Sequence, residues 1–149
     1  MQALLQRVTQ ASVVVEGKLV AMIGPGLLVF VGVVPEDTVA IAESLADRTL
    51  DLRIFADAAK LMNRSVVDVG GEILVVPQFT LAANTRKGRR PSFDSAAPPQ
   101  QARSLYDDFV ERIERRLGKV ATGRFGADMQ VALINDGPVT ICIDSRARE

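Results

Sequence analysis

Histidine and tryptophan are absent from this chain of 149 residues, and Cys142 is its single cysteine. Without histidine, Ser-His-Asp and Cys-His catalysis are excluded, and the usual zinc ligand is missing. One cysteine cannot form an intrachain disulfide, and Cys142 lies in an apolar run, so we interpret it as a small core residue. Acid–base chemistry at neutral pH would fall to a carboxylate, a lysine or Tyr106 with a shifted pKa, or to the substrate itself.

Long apolar runs are also absent, since none reaches the roughly 20 residues that span a bilayer. The start of the chain lacks the basic segment and cleavage site of a signal peptide, so we expect a cytoplasmic protein without a membrane partner. The 18 basic and 18 acidic residues give a formal net charge of zero, and the overall field does not indicate a nucleic-acid partner. The length favours a single domain over residues 1–149.

Short apolar runs, broken by turn residues, predict a sheet of about seven or more strands. The first helix is predicted to open at Asp37 or Thr38 as the cap, and the second to run from Pro98-Pro99 to a stop at Gly118. Because most connections are short, we predict an α+β fold, a curved, barrel-like and mostly antiparallel β-sheet with two helices packed on its outer side. The runs that carry the strand predictions are 3–8, 12–15, 18–23, 27–34, 52–55, 72–76, 129–134 and 139–143.

The hexapeptide Asn-Asp-Gly-Pro-Val-Thr at residues 135–140 separates the last two runs. Pro138 has no N–H to donate to a ladder, and Gly137 has no side chain to pack. Two interpretations are open. The pair is either a hairpin corner or a bare stretch of backbone whose carbonyl and amide groups face a ligand.

A second candidate segment is Gln78-Phe79-Thr80-Leu81, where two polar side chains flank an aromatic residue at the end of a buried run. A plain strand end is the alternative. A compact basic cluster follows at residues 86–90, beginning with Arg86 and Lys87, inside a long polar stretch. Such a cluster is able to hold phosphates, and a long loop in a compact domain is usually functional.

Four segments in this order resemble the D-aminoacyl-tRNA deacylase family, formerly called D-tyrosyl-tRNA deacylase, of the bacterial and eukaryotic type. They are residues 78–81, residues 86–93, Gly-Arg-Phe-Gly-Ala-Asp-Met at 123–129 and the hexapeptide at 135–140. The resemblance covers essentially the whole chain. One departure is Pro77, where the family usually has a serine, so no role of that serine is carried over. We expect Pro77 to lie at a strand edge or bulge.

The resemblance implies hydrolysis of the ester that joins a D-amino acid, or mischarged glycine, to the terminal adenosine of tRNA. It implies a homodimer in which a cis Gly137–Pro138 unit enters the partner's active site and rejects L-amino acids. It also implies help from the 2′-hydroxyl of the tRNA, with no metal or cofactor. The candidate catalytic segment is Gln78, Phe79 and Thr80, with the backbone amides of Phe79 and Thr80 favoured over side chains.

Further roles are assigned to residues outside that segment. Arg7 is the candidate clamp on the Gly137–Pro138 unit. Phe125 and Met129 would line the adenosine pocket, and core packing remains the alternative for both. Two other functions stay open: a non-catalytic RNA-binding module, and an esterase that uses Thr80 as nucleophile with a carboxylate such as Asp136. The candidate substrate-binding residues are Phe125, Met129, Arg86 and Lys87.

Overall fold

The structure is a computed structural model that describes residues 1–147. It is an α+β fold, with one mixed, nearly closed sheet and two helices, as the sequence predicts. No helix in this part of the chain has the length and apolarity to cross a membrane. The elements are β1 (Gln2–Val15), β2 (Lys18–Ile23), β3 (Gly26–Gly32), α1 (Val39–Asp51), β4 (Glu72–Pro77), a 3₁₀ turn (Phe79–Ala82), α2 (Pro99–Leu117), β5 (Ala121–Thr122) and β6 (Gln130–Asp144).

The sheet is organised around β1, which pairs antiparallel with three strands. Its first half pairs with β3 and its second half with β2, while β6 runs along the other side. The order is β2-β1-β3-β4-β5, and the β3–β4 and β4–β5 pairs are parallel. A Cβ on Gly26 would overlap the backbone of Glu72, so this glycine permits the close approach of β3 and β4.

Three strand predictions are corrected by the structure. Residues 3–8 and 12–15 belong to one long strand, and the runs on either side of the hexapeptide are both parts of β6. The predicted extended segment 52–55 forms only an isolated bridge between Phe55 and Arg64. Cys142 is exposed on β6, so its interpretation as a core residue is wrong.

Two cores lie on opposite faces of the sheet. On the helix side, Leu5 and Val29 pack against the two helices. On the inner side of the curved sheet, Val13 and Leu74 belong to a separate cluster. β1 contributes to both cores because its pairing with β6 shifts by one residue between Val8 and Gln10, which moves its odd-numbered buried positions from one face to the other.

Both helices begin and end near the predicted residues. Thr38 caps α1, and its hydroxyl accepts the Ile41 N–H at 3.3 Å. Gly118 ends α2 in the left-handed conformation with φ 86°. Val39, the first residue of α1, is 51% exposed.

Candidate active site

A cleft of about 690 Å³ opens beside the end of β4. Its walls come from the ends of β3 and β4, the 3₁₀ turn, the loop that precedes α2, the first turns of α2 and the segment before β6. The cleft therefore brings together residues 77–79 and residues 125–129, which the sequence places far apart. The predicted site residues on its walls are Gln78, Phe79, Phe125 and Met129.

The 3₁₀ turn is held against β3 by backbone contacts. The Gln78 N–H donates to the Val31 carbonyl at 2.8 Å, and the Leu81 N–H donates to the Gln78 carbonyl at 3.2 Å. A Cβ on Gly32 would lie 2.9 Å from the Leu81 Cβ and 3.1 Å from the Gln78 carbonyl oxygen. Glycine at this position thus allows the turn to lie directly on the end of β3.

The first two N–H groups of this turn belong to Phe79 and Thr80. Within residues 1–147, neither group donates a hydrogen bond. The first N–H groups of a helical turn lack intrahelical acceptors and are ready donors for an anionic oxygen. The turn therefore has free N–H donors on two consecutive residues, and the first of these residues, Phe79, lines the cleft.

Thr80 itself is exposed and does not line the cleft. Its hydroxyl accepts a hydrogen bond from the Gln78 side chain, and no carboxylate or lysine among the described residues contacts it. An amide donor does not activate a hydroxyl as a nucleophile. The geometry thus offers no base for Thr80.

Pro77 is the last residue of β4 and lies on the wall of the cleft. β5 pairs only with Leu74 and Val75, so Pro77 lies beyond the end of the β4–β5 ladder. This place at the end of the strand agrees with the predicted edge position.

Aromatic rings form two sides of the cleft. Phe79, 58% exposed, meets Phe93 edge to face with ring centroids 5.2 Å apart. Phe125 lies 6.0 Å from Tyr106, and the guanidinium of Arg103 lies 5.9 Å from the centroid of the Phe125 ring. Flat, apolar walls of this kind suit a nucleobase, since every base has a π-face for stacking.

Charge is sparse on the cleft walls. Asp94 is the only acidic or basic side chain that lines it in the described part of the chain, and its carboxylate accepts from the Ser92 hydroxyl at 2.9 Å. The Tyr106 hydroxyl donates to the Val75 carbonyl at 3.1 Å. Burial, with a smaller contribution from Asp107, raises the pKa of the Tyr106 phenol above its usual value, so Tyr106 stays neutral and is no base near pH 7.

Arg86 lines a different, smaller and more polar pocket, next to Asn84 and Arg146. Lys87 is exposed in the same loop. Neither residue lines the aromatic cleft, although the loop that carries them continues into Phe93 and Asp94 on its wall. Within residues 1–147, no three His, Cys, Asp or Glu side chains come together as a group that could hold a metal ion.

The Gly137–Pro138 pair lies in a bulge of β6, which corrects the hairpin alternative. β1 and β6 pair at Gln6–Thr140 and again at Val8–Asn135, so four residues of β6 face the single residue Arg7. The Gly137–Pro138 peptide bond is cis, and both residues are exposed. Neither lines the cleft of its own chain.

Arg7 and Asn135 hold this bulge in place. The Arg7 guanidinium donates to the Asp136 carbonyl at 3.1 Å and to the Ile54 carbonyl at 2.6 Å. The Asn135 side chain accepts the Val139 N–H at 3.1 Å and donates to the Thr140 hydroxyl at 2.8 Å. The exposed backbone of Gly137 and Pro138 is thus fixed from both sides.

Most residues of the cleft were not predicted as site residues, among them Tyr106, Phe93 and Asp94. Tyr106 occupies an apolar helical position, which is typical of a core residue, and it is both buried and part of the wall. Phe93 and Asp94 follow the basic cluster within the long loop. The long loop was itself a signal that this segment is functional, but nothing local distinguished these two residues.

Comparison with known proteins assigns the chain to a family. The profile of the family described as D-Tyr-tRNA(Tyr) deacylase matches residues 4–144, so the chain belongs to that family. A D-aminoacyl-tRNA deacylase of Thermomicrobium roseum is 60% identical over 97% of this chain and 94% of the relative. One of Syntrophotalea carbinolica is 57% identical over 97% of both chains.

Two solved structures share the fold. One, described as a c-Myc DNA Unwinding Element Binding Protein, has a TM-score of 0.92 and 43% identity, with 99% of this chain and 100% of that chain covered. Another, described as a probable eukaryotic D-amino acid tRNA deacylase, has a TM-score of 0.83 and 21% identity, with 95% and 97% covered.

Proposed function

We propose that this protein hydrolyses the ester bond of D-aminoacyl-tRNA and releases free tRNA and a D-amino acid. The observation that carries the proposal is the identity of 57–60% with proteins named for this activity, over nearly the full length of both chains. The cleft suits such a substrate, since its aromatic walls fit a terminal adenosine and its volume leaves space for an aminoacyl group.

Catalysis in this proposal depends on backbone donors. Water attacks the ester carbonyl carbon, and the carbonyl oxygen becomes an oxyanion that accepts the N–H groups of Phe79 and Thr80. The bond to the ribose 3′-oxygen then breaks, and that oxygen leaves with a proton as the hydroxyl of free tRNA. The free N–H groups of the 3₁₀ turn support this assignment.

The proton of the attacking water needs an acceptor, and Asp94 is the only charged side chain on the cleft wall within residues 1–147. The chain has no histidine, and Tyr106 is held neutral. Asp94 is already engaged, since its carboxylate accepts a hydrogen bond from the Ser92 hydroxyl at 2.9 Å. We therefore assign the proton transfer to the 2′-hydroxyl of the terminal ribose, so that the protein contributes orientation and the oxyanion donors.

Chiral selection is assigned to the Gly137–Pro138 bulge of a second copy of the chain. Its carbonyl groups would occupy the space that an L side chain needs, while a D side chain or the hydrogen of glycine avoids them. The fixation of the bulge by Arg7 and Asn135 supports this role, because rejection of one enantiomer requires groups at fixed positions. Glycyl-tRNA would consequently also be a substrate.

The remaining site residues bind the tRNA. Phe125 and Met129 contact the terminal adenosine, and Arg86 and Lys87 attract the phosphate backbone from the loop beside the cleft. In this proposal residues 1–149 form one deacylase domain that acts as a homodimer in the cytoplasm.

A deacylation assay with D-tyrosyl-, L-tyrosyl- and glycyl-tRNA tests the proposal. We expect release of D-tyrosine and glycine and retention of L-tyrosine on the tRNA. Binding of all three tRNAs without release would favour the rival interpretation, a non-catalytic RNA-binding module. Equal hydrolysis of the D and L forms would contradict selection by the bulge.

A Thr80→Ala variant separates backbone catalysis from the second rival, a Thr80-dependent esterase. The variant keeps the N–H and removes the hydroxyl, so we expect kcat to stay within about tenfold of the original value. Complete loss of hydrolysis with intact tRNA binding would support Thr80 as nucleophile. A substrate ending in 2′-deoxyadenosine is the complementary measurement, because it abolishes only substrate-assisted hydrolysis.

A further inference from the structure

The aromatic cleft has no basic side chain on its walls among residues 1–147. The terminal adenosine of a tRNA, however, carries a phosphate on its 5′ side. If the adenosine lies against Phe125, that phosphate emerges at the rim next to this ring. Some group at the rim must then compensate its charge.

Two arginines flank Phe125. Arg103 projects from the second turn of α2, and its guanidinium carbon lies 5.9 Å from the centroid of the ring. Arg124 directly precedes Phe125 in the chain. Both arginines are exposed, and neither is itself part of the cleft wall.

These arginines differ from the others on α2 in their partners. Arg112, Arg115 and Arg116 each lie within 3.0 Å of a carboxylate oxygen. Within the described residues, neither Arg103 nor Arg124 forms an ion pair of this kind. The end of α2 next to the cleft thus keeps an uncompensated cation, whereas the far end is neutralised.

The local geometry leaves the charged groups available. A guanidinium over a ring uses its face, and its in-plane N–H donors stay free for a phosphate. The backbone around Arg124 is fixed, because the Gly123 N–H donates to the Val75 carbonyl at 2.8 Å and the Arg124 N–H lies 3.3 Å from the Met129 sulfur.

We propose that Arg103 and Arg124 bind the phosphate on the 5′ side of the terminal adenosine. This assignment rests on the proposed function, since it requires the adenosine to occupy the cleft. It explains how a cleft without basic side chains among residues 1–147, in a chain of zero net charge, positions an anionic substrate. The two arginines are binding residues in this account and take no part in the bond-breaking step.

A pair of non-hydrolysable ligands tests the assignment. They are 3′-deoxy-3′-(D-tyrosylamino)adenosine and its 5′-monophosphate, and the measured quantity is the ratio of their dissociation constants by calorimetry. We expect the original protein to bind the phosphorylated ligand about five- to tenfold more tightly. The ratio cancels general damage to the cleft, because both ligands share the same nucleoside.

Arg103→Gln and Arg124→Gln, made singly, should each lower the preference for the phosphorylated ligand. In the double variant the ratio of the two dissociation constants should fall to about one. Arg115→Gln is the matched control, since Arg115 is an exposed arginine of the same helix that pairs with Glu111. It should keep the original preference. With a tRNA ligand, each lost phosphate contact should also reduce the slope of log K against log salt by up to about 0.7.

The outcomes separate this inference from the proposed function. If D-tyrosyl-tRNA is hydrolysed but the phosphate preference survives in the double variant, the assignment to these arginines is overturned and the function stands. The same holds if only Lys87→Gln abolishes the preference. If the original protein neither hydrolyses D-tyrosyl-tRNA nor binds either ligand, the proposed function itself fails.

Discussion

Phe79 contributes two separable groups to the candidate site, its ring and its backbone N–H. Phe79→Ala removes the ring, which packs on Phe93, and keeps the N–H. Phe79→Pro removes both. Proline is compatible with the first position of a helical turn, and the preceding residue, Gln78, has the non-helical φ of −143° and ψ of 81° that proline tolerates before it.

If the N–H stabilises the oxyanion, Phe79→Ala should retain most of kcat, whereas Phe79→Pro should lose about 10²–10³-fold. Single-turnover hydrolysis of D-tyrosyl-tRNA measures the two rates, and thermal melting shows whether both variants fold. Equal rates in two folded variants would exclude the Phe79 N–H as a donor.

At the residue scale the sequence identified much of the cleft and missed part of it. Gln78, Phe79, Phe125 and Met129 were predicted site residues and share one cleft. Asp94 was not predicted, because its position on the wall depends on the path of a loop without regular structure. Cys142 was misjudged because an apolar run does not reveal which of its alternate residues face outward.

At the scale of elements, the contact between β3 and the 3₁₀ turn positions the donors. Gly32→Ala would place a Cβ 2.9 Å from the Leu81 Cβ and push the turn away. We expect kcat to fall at least tenfold, since misplaced donors lose their alignment with the oxyanion.

Gly24→Ala is the matched control for this prediction. Its Cβ would meet only the end of the Glu72 side chain at 3.3 Å, which is able to move aside. Hydrolysis rates and melting temperatures of both variants give the comparison. A Gly32→Ala protein with unchanged kcat would show that the turn tolerates displacement.

The two helices are joined by a charged contact that predicts a pH dependence of stability. The Arg112 guanidinium donates two hydrogen bonds of 2.9 Å to Asp47, and Arg116 donates a third at 3.0 Å. The bonds from Arg112, and then those from Arg116, hold the pKa of Asp47 below its usual value of 3.8 despite partial burial. A lowered folded-state pKa stabilises the fold above pH 3.8 and ceases to do so as the pH falls through the lowered value.

Asp47→Asn should therefore melt a few degrees below the original protein at neutral pH, and the difference should shrink as the pH falls below about 4. Melting temperatures across the acidic range measure this. Glu111→Gln is the control, because Glu111 pairs with Arg115 inside α2 and joins no second element. If the melting temperatures of Asp47→Asn and the original protein differ by the same amount at every pH, the Asp47 charge does not stabilise the fold.

Element prediction succeeded where the pattern was local and failed where pairing was long-range. The bounds of α2 follow from its apolar stripe, Pro99 and Gly118, all visible in the sequence. β6 was predicted as two strands because Gly137 and Pro138 interrupt the local pattern. Only its pairing with β1 on both sides of the bulge shows that the strand continues.

At the scale of the whole molecule, the bulge and the cleft are separate parts of one chain. Gly137 and Pro138 are exposed and line no part of their own cleft. Because the bulge does not line its own cleft, the proposed selection by the bulge requires a second copy of the chain. The proposal thus predicts a dimer in which each cleft is completed by the other subunit's bulge.

Subunit mixing tests this arrangement with one defect in each part. Phe79→Pro disables the cleft. Gly137→Ala displaces the bulge, because Gly137 has φ 128° and a Cβ would lie 2.8 Å from Arg7 Nη2. We expect the first homodimer to be inactive and the second to hydrolyse L-tyrosyl-tRNA as well as the D form.

In a mixed dimer, one site combines the intact cleft of the Gly137→Ala subunit with the intact bulge of the Phe79→Pro subunit. Mixing through reversible dissociation should therefore restore the preference for D-tyrosyl-tRNA toward that of the original protein. If each bulge serves its own cleft, every active site in the mixture keeps a displaced bulge, and the ratio of D to L hydrolysis stays at the Gly137→Ala value. The D-to-L ratio, measured as the fraction of Phe79→Pro subunits increases, distinguishes the two arrangements independently of how much total activity survives.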